Sequence, residues 1–229
     1  MPVRLALLHS PFLTPEASWG GLPDALAALG HQVTLVRVEG DDPPRAVSAY
    51  AHSAAGQLPA GPVLLVAHSG AGPLVPVVAA RRAYGGVLGA VLLDATLPGS
   101  DQDSRLAILR REDPAAAEAL ARSLYAGGFA PDWSGEDVPA AVLAGLRPRD
   151  LAFFTEPVPV PGAGWADLRW GYLRTSARYD ASADRAATLR RPVVRREGGH
   201  FAALVDPAGV AADVAELAGR LLAEAPRWG

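Results

Sequence analysis

Short runs of apolar residues alternate along the chain with stretches in which apolar residues recur every three or four positions. Runs such as Leu5–Leu8 are typical of strands that are buried on both faces of a parallel sheet. The longer spacing predicts amphipathic helices. Strands are predicted at Leu5–Leu8, Val33–Val36, Val63–Val66, Val87–Leu93, Tyr172–Ser176 and Pro192–Val194. Helices are predicted at Leu22–Leu29, Pro44–Gln57, Pro73–Ala80 and Pro207–Leu222.

This alternation of strand and helix predicts an α/β fold, an open and doubly wound all-parallel sheet of about six strands. Residues 97–166, between the fourth and fifth predicted strands, show no strand pattern and contain helical patterns followed by a proline-rich piece. An insertion of this length usually covers a binding site. We therefore expect an α/β core of residues 1–96 and 167–229 and a helical cap of residues 97–166.

Aromatic side chains are concentrated in this predicted cap. Trp133, Phe153, Phe154 and Trp165 are candidates for lining an apolar substrate pocket, although a small helical cap also needs aromatic residues for its own core. Glu156 lies in the proline-rich piece and is a further candidate for the pocket. The alternative for this carboxylate is a position that faces solvent.

Composition excludes several kinds of chemistry. All 21 basic residues are arginine, and the chain has no cysteine. Without lysine there is no Schiff base and no phosphate loop of the Gly-Lys-Ser type, and without cysteine there is no thiolate nucleophile or thiolate metal site. We expect neither a cofactor nor a metal, so hydroxyls and carboxylates are left as the candidates for covalent chemistry.

Charge and hydropathy point to a small molecule as the partner. The net charge is −3, which argues against binding to nucleic acid or to an anionic membrane. The sequence has no apolar run of the roughly 18 residues that a membrane span requires. Its first residues lack the pattern of a secretory signal, so we expect a cytoplasmic protein. A homodimer is an open alternative for its oligomeric state.

A buried strand runs directly into a serine between small residues at positions 63–72, whose sequence is VLLVAHSGAG. A serine on a sharp strand-to-helix turn needs small neighbours two positions away on either side, and Ala67 and Ala71 meet this requirement. Such a turn raises the Ser69 hydroxyl above the sheet and directs the next N–H, that of Gly70, at the group under attack. In the alternative interpretation, Ser69 only caps the helix.

Other polar residues follow the predicted strands, at the edge where ligands bind in a parallel sheet. They are His9, Asp94, Asp180 and His200. A serine nucleophile needs a base, and the base needs a carboxylate that holds its tautomer. His200 is the candidate base, because the two glycines before it let the loop bend the ring towards the sheet. His9 is a candidate for supporting the loop beside Ser69 and for contacting substrate.

Three segments carry a resemblance to the α/β-hydrolase fold family, namely Leu8–Phe12, Ala67–Ala71 and Gly198–Phe201, the last followed by Asp206–Pro207. The chain is most similar to small bacterial serine hydrolases with a helical cap. The resemblance implies the strand order 2-1-3-4-5-6, with the cap between the fourth and fifth strands. It also implies that Ser69 is the nucleophile and His200 the base.

Two departures from the family pattern leave alternatives open. Most members carry the acid after the next-to-last strand, which points to Asp180, but the spacing there is too long by about two residues. Asp94 ends the fourth strand, where a minority of members carry the acid, and we favour it. In the family, the residue at the third position of the loop after the first strand usually donates the second oxyanion N–H. This chain has Pro11 there, which has no N–H. We expect Gly70 and Phe12 to donate instead.

These features predict a serine hydrolase that cleaves a small apolar ester, thioester or lactone through an acyl-enzyme on Ser69. One alternative is a lyase or cyclase of the same fold that acts on a natural-product intermediate, which the missing N–H of Pro11 motivates. Another is a non-catalytic ligand-binding protein. A metal site built from His9, Asp94 and His200 would leave the serine without a purpose.

Overall fold

The computed structural model describes residues 2–82, 86–100, 102–127, 137–160 and 162–223. Its six strands are parallel to their neighbours and form one sheet in the order β2-β1-β3-β4-β5-β6, which confirms the predicted architecture and strand order. The strands are β1 (Arg4–Leu8), β2 (Gln32–Val36), β3 (Val63–His68), β4 (Val87–Leu93), β5 (Trp170–Arg174) and β6 (Val193–Arg195).

Helices cover both faces of the sheet and its carboxyl edge. Before β4 they are α1 (Pro15–Trp19), α2 (Leu22–Ala28), α3 (Ala46–Gln57) and α4 (Val75–Ala80). Between β4 and β5 they are α5 (Arg105–Glu112), α6 (Pro114–Tyr125), α7 (Ala140–Ala144), α8 (Leu151–Thr155) and α9 (Gly162–Asp167). After β5 they are α10 (Asp180–Thr188), α11 (Ala202–Val205) and α12 (Pro207–Ala223).

Alternation along the central strands produces the two halves of the core. Leu5 and Leu7 of β1 pack with α2 and α12 on one face, whereas Ala6 and Leu8 pack with α3 and α4 on the other. Because both faces are covered, every residue of β3 is buried, which explains its continuous apolar sequence. The buried positions of α12 repeat every three to four residues and form one stripe against the sheet.

Helices α5, α6 and α8, which follow β4, pack over the carboxyl edge of the sheet, whereas α9 packs beside α4 on one face of it. Helices α5, α6 and α8 share a small apolar cluster that includes Phe153 and Phe154. The chain after α7 returns to the loop that follows β1, where Leu13 and Leu146 form an isolated antiparallel bridge. The edge that bears the polar candidates is therefore covered.

Across the part of the chain that the structure describes, no helix is both long and apolar enough to cross a membrane.

Candidate active site

Ser69 stands at the turn between β3 and the helix that follows it. Its φ is +55°, in the left-handed region that a non-glycine residue adopts only at some cost. The chain then runs through a 3-10 turn, residues 69–74, before α4 begins at Val75, so the helix starts later than the predicted Pro73. Ala67 and Ala71 are fully buried. A Cβ on Gly72 would overlap the carbonyl oxygen of Thr96, so the turn has no room for larger side chains there.

The imidazole of His200 lies beside this serine. Its Nε2 is 3.2 Å from Ser69 Oγ, and the ring is almost fully buried. The preceding loop bends as the two glycines suggested, because Gly199 has a φ of +78° and the N–H groups of Gly198 and Gly199 both donate to the carbonyl of Thr175. The loop thereby holds the imidazole of His200 above the end of β5.

Asp94 lies on the other side of the imidazole. Its Oδ2 is 3.4 Å from His200 Nδ1, and its side chain is fully buried. Its Oδ1 accepts hydrogen bonds from the backbone N–H groups of Thr175 at 2.6 Å and Ser176 at 3.2 Å. Burial by itself raises the pKa of Asp94, but the hydrogen bond and charge of His200, with the bonds from Thr175 and Ser176, hold this pKa below its ordinary value.

The partners of His200 define its tautomer. An ionised carboxylate only accepts, so Nδ1 carries the proton that faces Asp94. Nε2 then carries no proton and is the acceptor that faces the Ser69 hydroxyl at 3.2 Å. Thr175 links Asp94 to the loop before His200, because its N–H donates to Asp94 while its carbonyl accepts from Gly198 and Gly199.

Asp180, the alternative acid, lies elsewhere. Its Oδ1 pairs with Arg174 at 2.7 Å and with Arg195 at 3.2 Å, and 47% of its side chain is exposed. It occupies the first turn of α10 beside these two arginines. The structure therefore brings Asp94 and not Asp180 to the imidazole.

A cavity of about 390 Å³ opens above Ser69 and His200. Its far wall comes from α5 and α6 and is mostly apolar, formed by Ile108, Leu109, Ala116, Ala119 and Leu120. The loop after β1 closes another side with Ser10, Phe12 and Leu13. Such a space suits a small ligand with an apolar body.

The structure places two of the four aromatic candidates, Phe153 and Trp165, away from this cavity. Phe154 lines it, whereas Phe153 lies fully buried behind it, with its ring edge-on to Phe12 and 3.9 Å from the guanidinium carbon of Arg105. Trp165 stacks on Trp170 beside the sheet core instead. Trp133 lies outside the described residues.

His9 and Glu156, the two polar candidates for contact with substrate, both bond to backbone groups of the protein. His9 is fully buried, with Nδ1 2.9 Å from the Ser10 carbonyl and Nε2 3.1 Å from the Val38 nitrogen, so both ring nitrogens are engaged by backbone. Glu156 accepts from the Val47 N–H at 3.1 Å, and burial raises the pKa of its carboxyl. Neither side chain lines the cavity described above.

The loop after β1 lies against the turn at Ser69. A Cβ on Gly70 would come within 2.6 Å of the Phe12 ring, so Phe12 covers this residue closely. The Phe12 N–H points towards Ser10 Oγ, at 3.4 Å, on the cavity side of the loop. Pro11, between them, has no N–H, and its carbonyl faces the arginine side chain of Arg149.

Two aromatic neighbours of His200 were not singled out from the sequence. Tyr179 stacks on the imidazole with a centroid distance of 5.1 Å and lines the cavity. Burial raises the pKa of its hydroxyl, and a hydrogen bond with the Ser69 side chain opposes that rise. Its place shortly after β5, beside Asp180, was the available signal.

His68 is the other neighbour, and its ring stacks on His200 at 4.8 Å. Its Nε2 lies 3.2 Å from the His200 carbonyl oxygen, so Nε2 carries the proton and donates. Burial, followed by the nearby His200, lowers the pKa of His68 to about 3. The neutral imidazole of His68 thus donates to the backbone of His200.

Within the described ranges, no group of three or more His, Cys, Asp or Glu side chains is arranged to hold a metal ion. The hypothetical ligand set of His9, Asp94 and His200 is dispersed, because His9 is bound to Ser10 and Val38.

Comparisons with known proteins give matches of structure but not of sequence. No protein-family model matches the chain, and no curated protein matches it. An extracellular α/β-hydrolase from a Paenibacillus species, described as sharing structural and functional homology with tobacco salicylic acid binding protein 2, superposes with a TM-score of 0.73 at 16% identity. That match covers 99% of this chain and 100% of the other.

Two further solved structures are similar. A pyrethroid hydrolase from Sphingobium faniae JZ-2 has a TM-score of 0.68 at 18% identity, covering 96% of this chain and 98% of that one. A variant of tomato methylketone synthase I, complexed with β-ketoheptanoate, has a TM-score of 0.69 at 15% identity, covering 96% and 99%. At such identities the likeness shows the fold alone, and that fold is the one these proteins share.

Proposed function

We propose that this chain, which has the α/β-hydrolase fold, is a serine hydrolase that cleaves a small apolar ester, thioester or lactone. The observation that carries the proposal is the line of hydrogen-bonding groups from Asp94 through His200 to Ser69, which ends at an apolar cavity. The pyrethroid hydrolase among the similar structures agrees with this proposal at the level of fold.

The reaction follows from the positions of these groups. His200 Nε2 removes the proton from Ser69 Oγ as the oxygen attacks the substrate carbonyl, and Asp94 stabilises the imidazolium that forms. The N–H groups of Gly70 and Phe12 donate to the oxyanion of the tetrahedral intermediate. His200 returns the proton to the leaving group, and water then cleaves the acyl-enzyme by the same steps in reverse.

The apolar wall from α5 and α6 supports the substrate class. A body of hydrocarbon in a cavity of about 390 Å³ gains free energy by leaving water, while the carbonyl meets the polar end at Ser69. Binding of a small molecule, without nucleic acid or membrane as partner, belongs to this proposal. The cytoplasmic location and a homodimer stay predictions, and one similar protein is described as extracellular.

Ser69→Ala tests the proposal. We expect wild-type protein to hydrolyse short-chain p-nitrophenyl esters and to be labelled at Ser69 by a fluorophosphonate probe. The variant should lose labelling and at least about 10³-fold in kcat, because the nucleophile is gone. Ser53→Ala, at a partly exposed position of α3 where the hydroxyl accepts from Gln57, is the control and should keep both. Full esterase activity in Ser69→Ala would refute the proposal.

Pro11 favours a second candidate, a lyase or cyclase in which His200 acts as acid and base on a natural-product intermediate. If Phe12 does not replace the missing donor, acyl transfer loses about 10²–10³ in rate. Labelling of Ser69 by the probe without ester turnover, with loss of product formation in His200→Ala, would favour this candidate. A ligand that binds equally well to wild type and Ser69→Ala without turnover would favour a non-catalytic binding protein.

A further inference from the structure

We propose that Arg149 is a positioning residue that orients the Phe12 N–H towards the oxyanion. The Phe12 N–H thereby replaces the donor that Pro11 cannot supply. The inference rests on the proposed function, since it assigns a role to a residue outside the nucleophile, base and acid. Arg149 reaches the site from the segment between α7 and α8, and it was not among the predicted site residues.

The contacts of Arg149 meet at one carbonyl. Its Nε and Nη2 donate to the Pro11 carbonyl oxygen at 2.9 and 2.7 Å, so two guanidinium nitrogens bond to a single acceptor. Pro11 and Phe12 share a trans peptide, in which the C=O and the N–H point in opposite directions. A guanidinium that holds the Pro11 oxygen on one side therefore turns the Phe12 N–H to the other side, where Ser10 and the cavity lie.

Asp41 fixes the guanidinium in turn. Both of its carboxylate oxygens accept from Arg149 Nη2, at 2.8 and 2.9 Å, and the two side chains are 3% and 1% exposed. The Arg149 Nη1 adds a bond to the Asp41 backbone carbonyl at 3.1 Å. Because a buried guanidinium keeps its charge and its planar fork, it is a rigid support for a peptide that has no helix or strand to hold it.

Backbone pairing holds the rest of this loop independently of Arg149. The Arg147 N–H donates to the Phe12 carbonyl at 2.7 Å, and the Thr14 N–H donates to the Gly145 carbonyl at 2.8 Å. These bonds attach the loop to the cap but do not set the plane of the Pro11–Phe12 peptide. The Arg149 side chain is thus separable from general anchoring of the loop.

Arg149→Lys and Arg147→Lys form a matched pair for the test. Both keep the positive charge beside Asp41, and the Arg147 side chain contacts Asp41 and the Val38 carbonyl but not Pro11. A lysine at 149 has a single nitrogen and no planar fork, so it cannot hold the Pro11 carbonyl from two nitrogens as Nε and Nη2 of Arg149 do. We expect Arg149→Lys to lower kcat by about 10²-fold, with KM changed less than about threefold, and Arg147→Lys to stay within about threefold in both.

A structural measurement separates this inference from the proposed function. Crystal structures of the two variants, with the amide resonance of Phe12 in ¹⁵N-labelled protein, report the orientation of the peptide without any turnover. We expect the peptide to turn in Arg149→Lys alone. If it turns and wild type hydrolyses no ester, the proposed function fails, while the control of the Pro11–Phe12 peptide plane by Arg149 still stands.

The inference is overturned if the peptide keeps its orientation in Arg149→Lys, or if its kcat matches that of Arg147→Lys in an enzyme that hydrolyses esters. Should Arg149→Lys fail to fold, Asp41→Asn takes its place, since it keeps the Arg149 contacts to Pro11 and weakens their anchor; it also weakens the contact of Arg147 to Asp41, so Arg147→Lys stays the control. A smaller loss of kcat with unchanged KM is then expected, and no loss would equally overturn the inference.

Discussion

Asp94 and Asp180 follow neighbouring strands of the sheet, yet their surroundings differ in every respect that bears on chemistry. Asp94 is fully buried, and its two carboxylate oxygens bond to His200 and to backbone N–H groups. Asp180 is half exposed and neutralised by Arg174 and Arg195. In a buried setting a carboxylate acts strongly on the one imidazole it faces, whereas an exposed carboxylate is screened by water and by its arginines.

Replacing each carboxylate by its amide gives the largest expected contrast. In Asp94→Asn the imidazole loses both its charge partner and its tautomer, so kcat should fall by about 10³–10⁴-fold. Asp180→Asn should change kcat by less than about threefold. Ester turnover and the rate of fluorophosphonate labelling measure the effect, and thermal unfolding shows that each variant is folded. A larger loss in Asp180→Asn would reverse the assignment of the acid.

Tyr179 sharpens the comparison, because it precedes Asp180 in sequence but belongs to the site around Asp94. Tyr179→Phe keeps the ring that stacks on His200 and removes the hydroxyl that meets Ser69. We expect kcat to fall about tenfold, the effect of one lost hydrogen bond to a developing charge. Tyr125→Phe, at a side chain that is 76% exposed, is the control. Equal rates in Tyr179→Phe and wild type would leave the hydroxyl without a role in catalysis.

Burial of His68 beside His200 also predicts a pH dependence of stability. The pKa of His68 is about 3 in the folded chain and 6.5 as its ordinary value, so below pH 6.5 the unfolded chain binds a proton that the folded chain does not. The free energy of unfolding therefore falls as the pH is lowered from 6.5 towards 3, by at most about 1.4 kcal/mol per pH unit from this residue.

His68→Gln should reduce this slope, while the glutamine amide can still donate to the His200 carbonyl. Urea unfolding between pH 7 and pH 4.5 measures the effect, with His52→Gln, at an exposed position of α3, as the control. Slopes that are identical in wild type and His68→Gln would show that His68 does not stay neutral in the folded chain.

Much of the sheet was predictable because its signal is local. Runs such as residues 63–66 are apolar throughout because both faces of the sheet are covered. Consecutive residues of the strand must therefore all be apolar. Ser69 and the glycines before His200 were also predictable, since a sharp turn restricts the size and φ of its own residues. The predicted start of α4 at Pro73 was too early, because the chain first passes through a 3-10 turn to Leu74.

The residues of the cavity were harder to predict, since composition does not say which way a side chain faces. Phe153 and Phe154 are adjacent in sequence, yet only Phe154 lines the cavity. Phe153 is buried behind it, against Phe12 and Arg105. Trp165 stacks on Trp170 of β5. Each placement depends on how helices pack across the edge, which the spacing of aromatic residues does not encode.

The sequence by itself determined the order of strands and helices, the turn that raises Ser69 and the loop that bends His200. These are properties of neighbouring residues, set by backbone sterics and by the burial of apolar side chains. The tertiary structure alone decided which aspartate meets the imidazole and which arginine holds Pro11. Those contacts join residues 106 and 138 positions apart, and their energies depend on burial and counter-charge that only the folded chain defines.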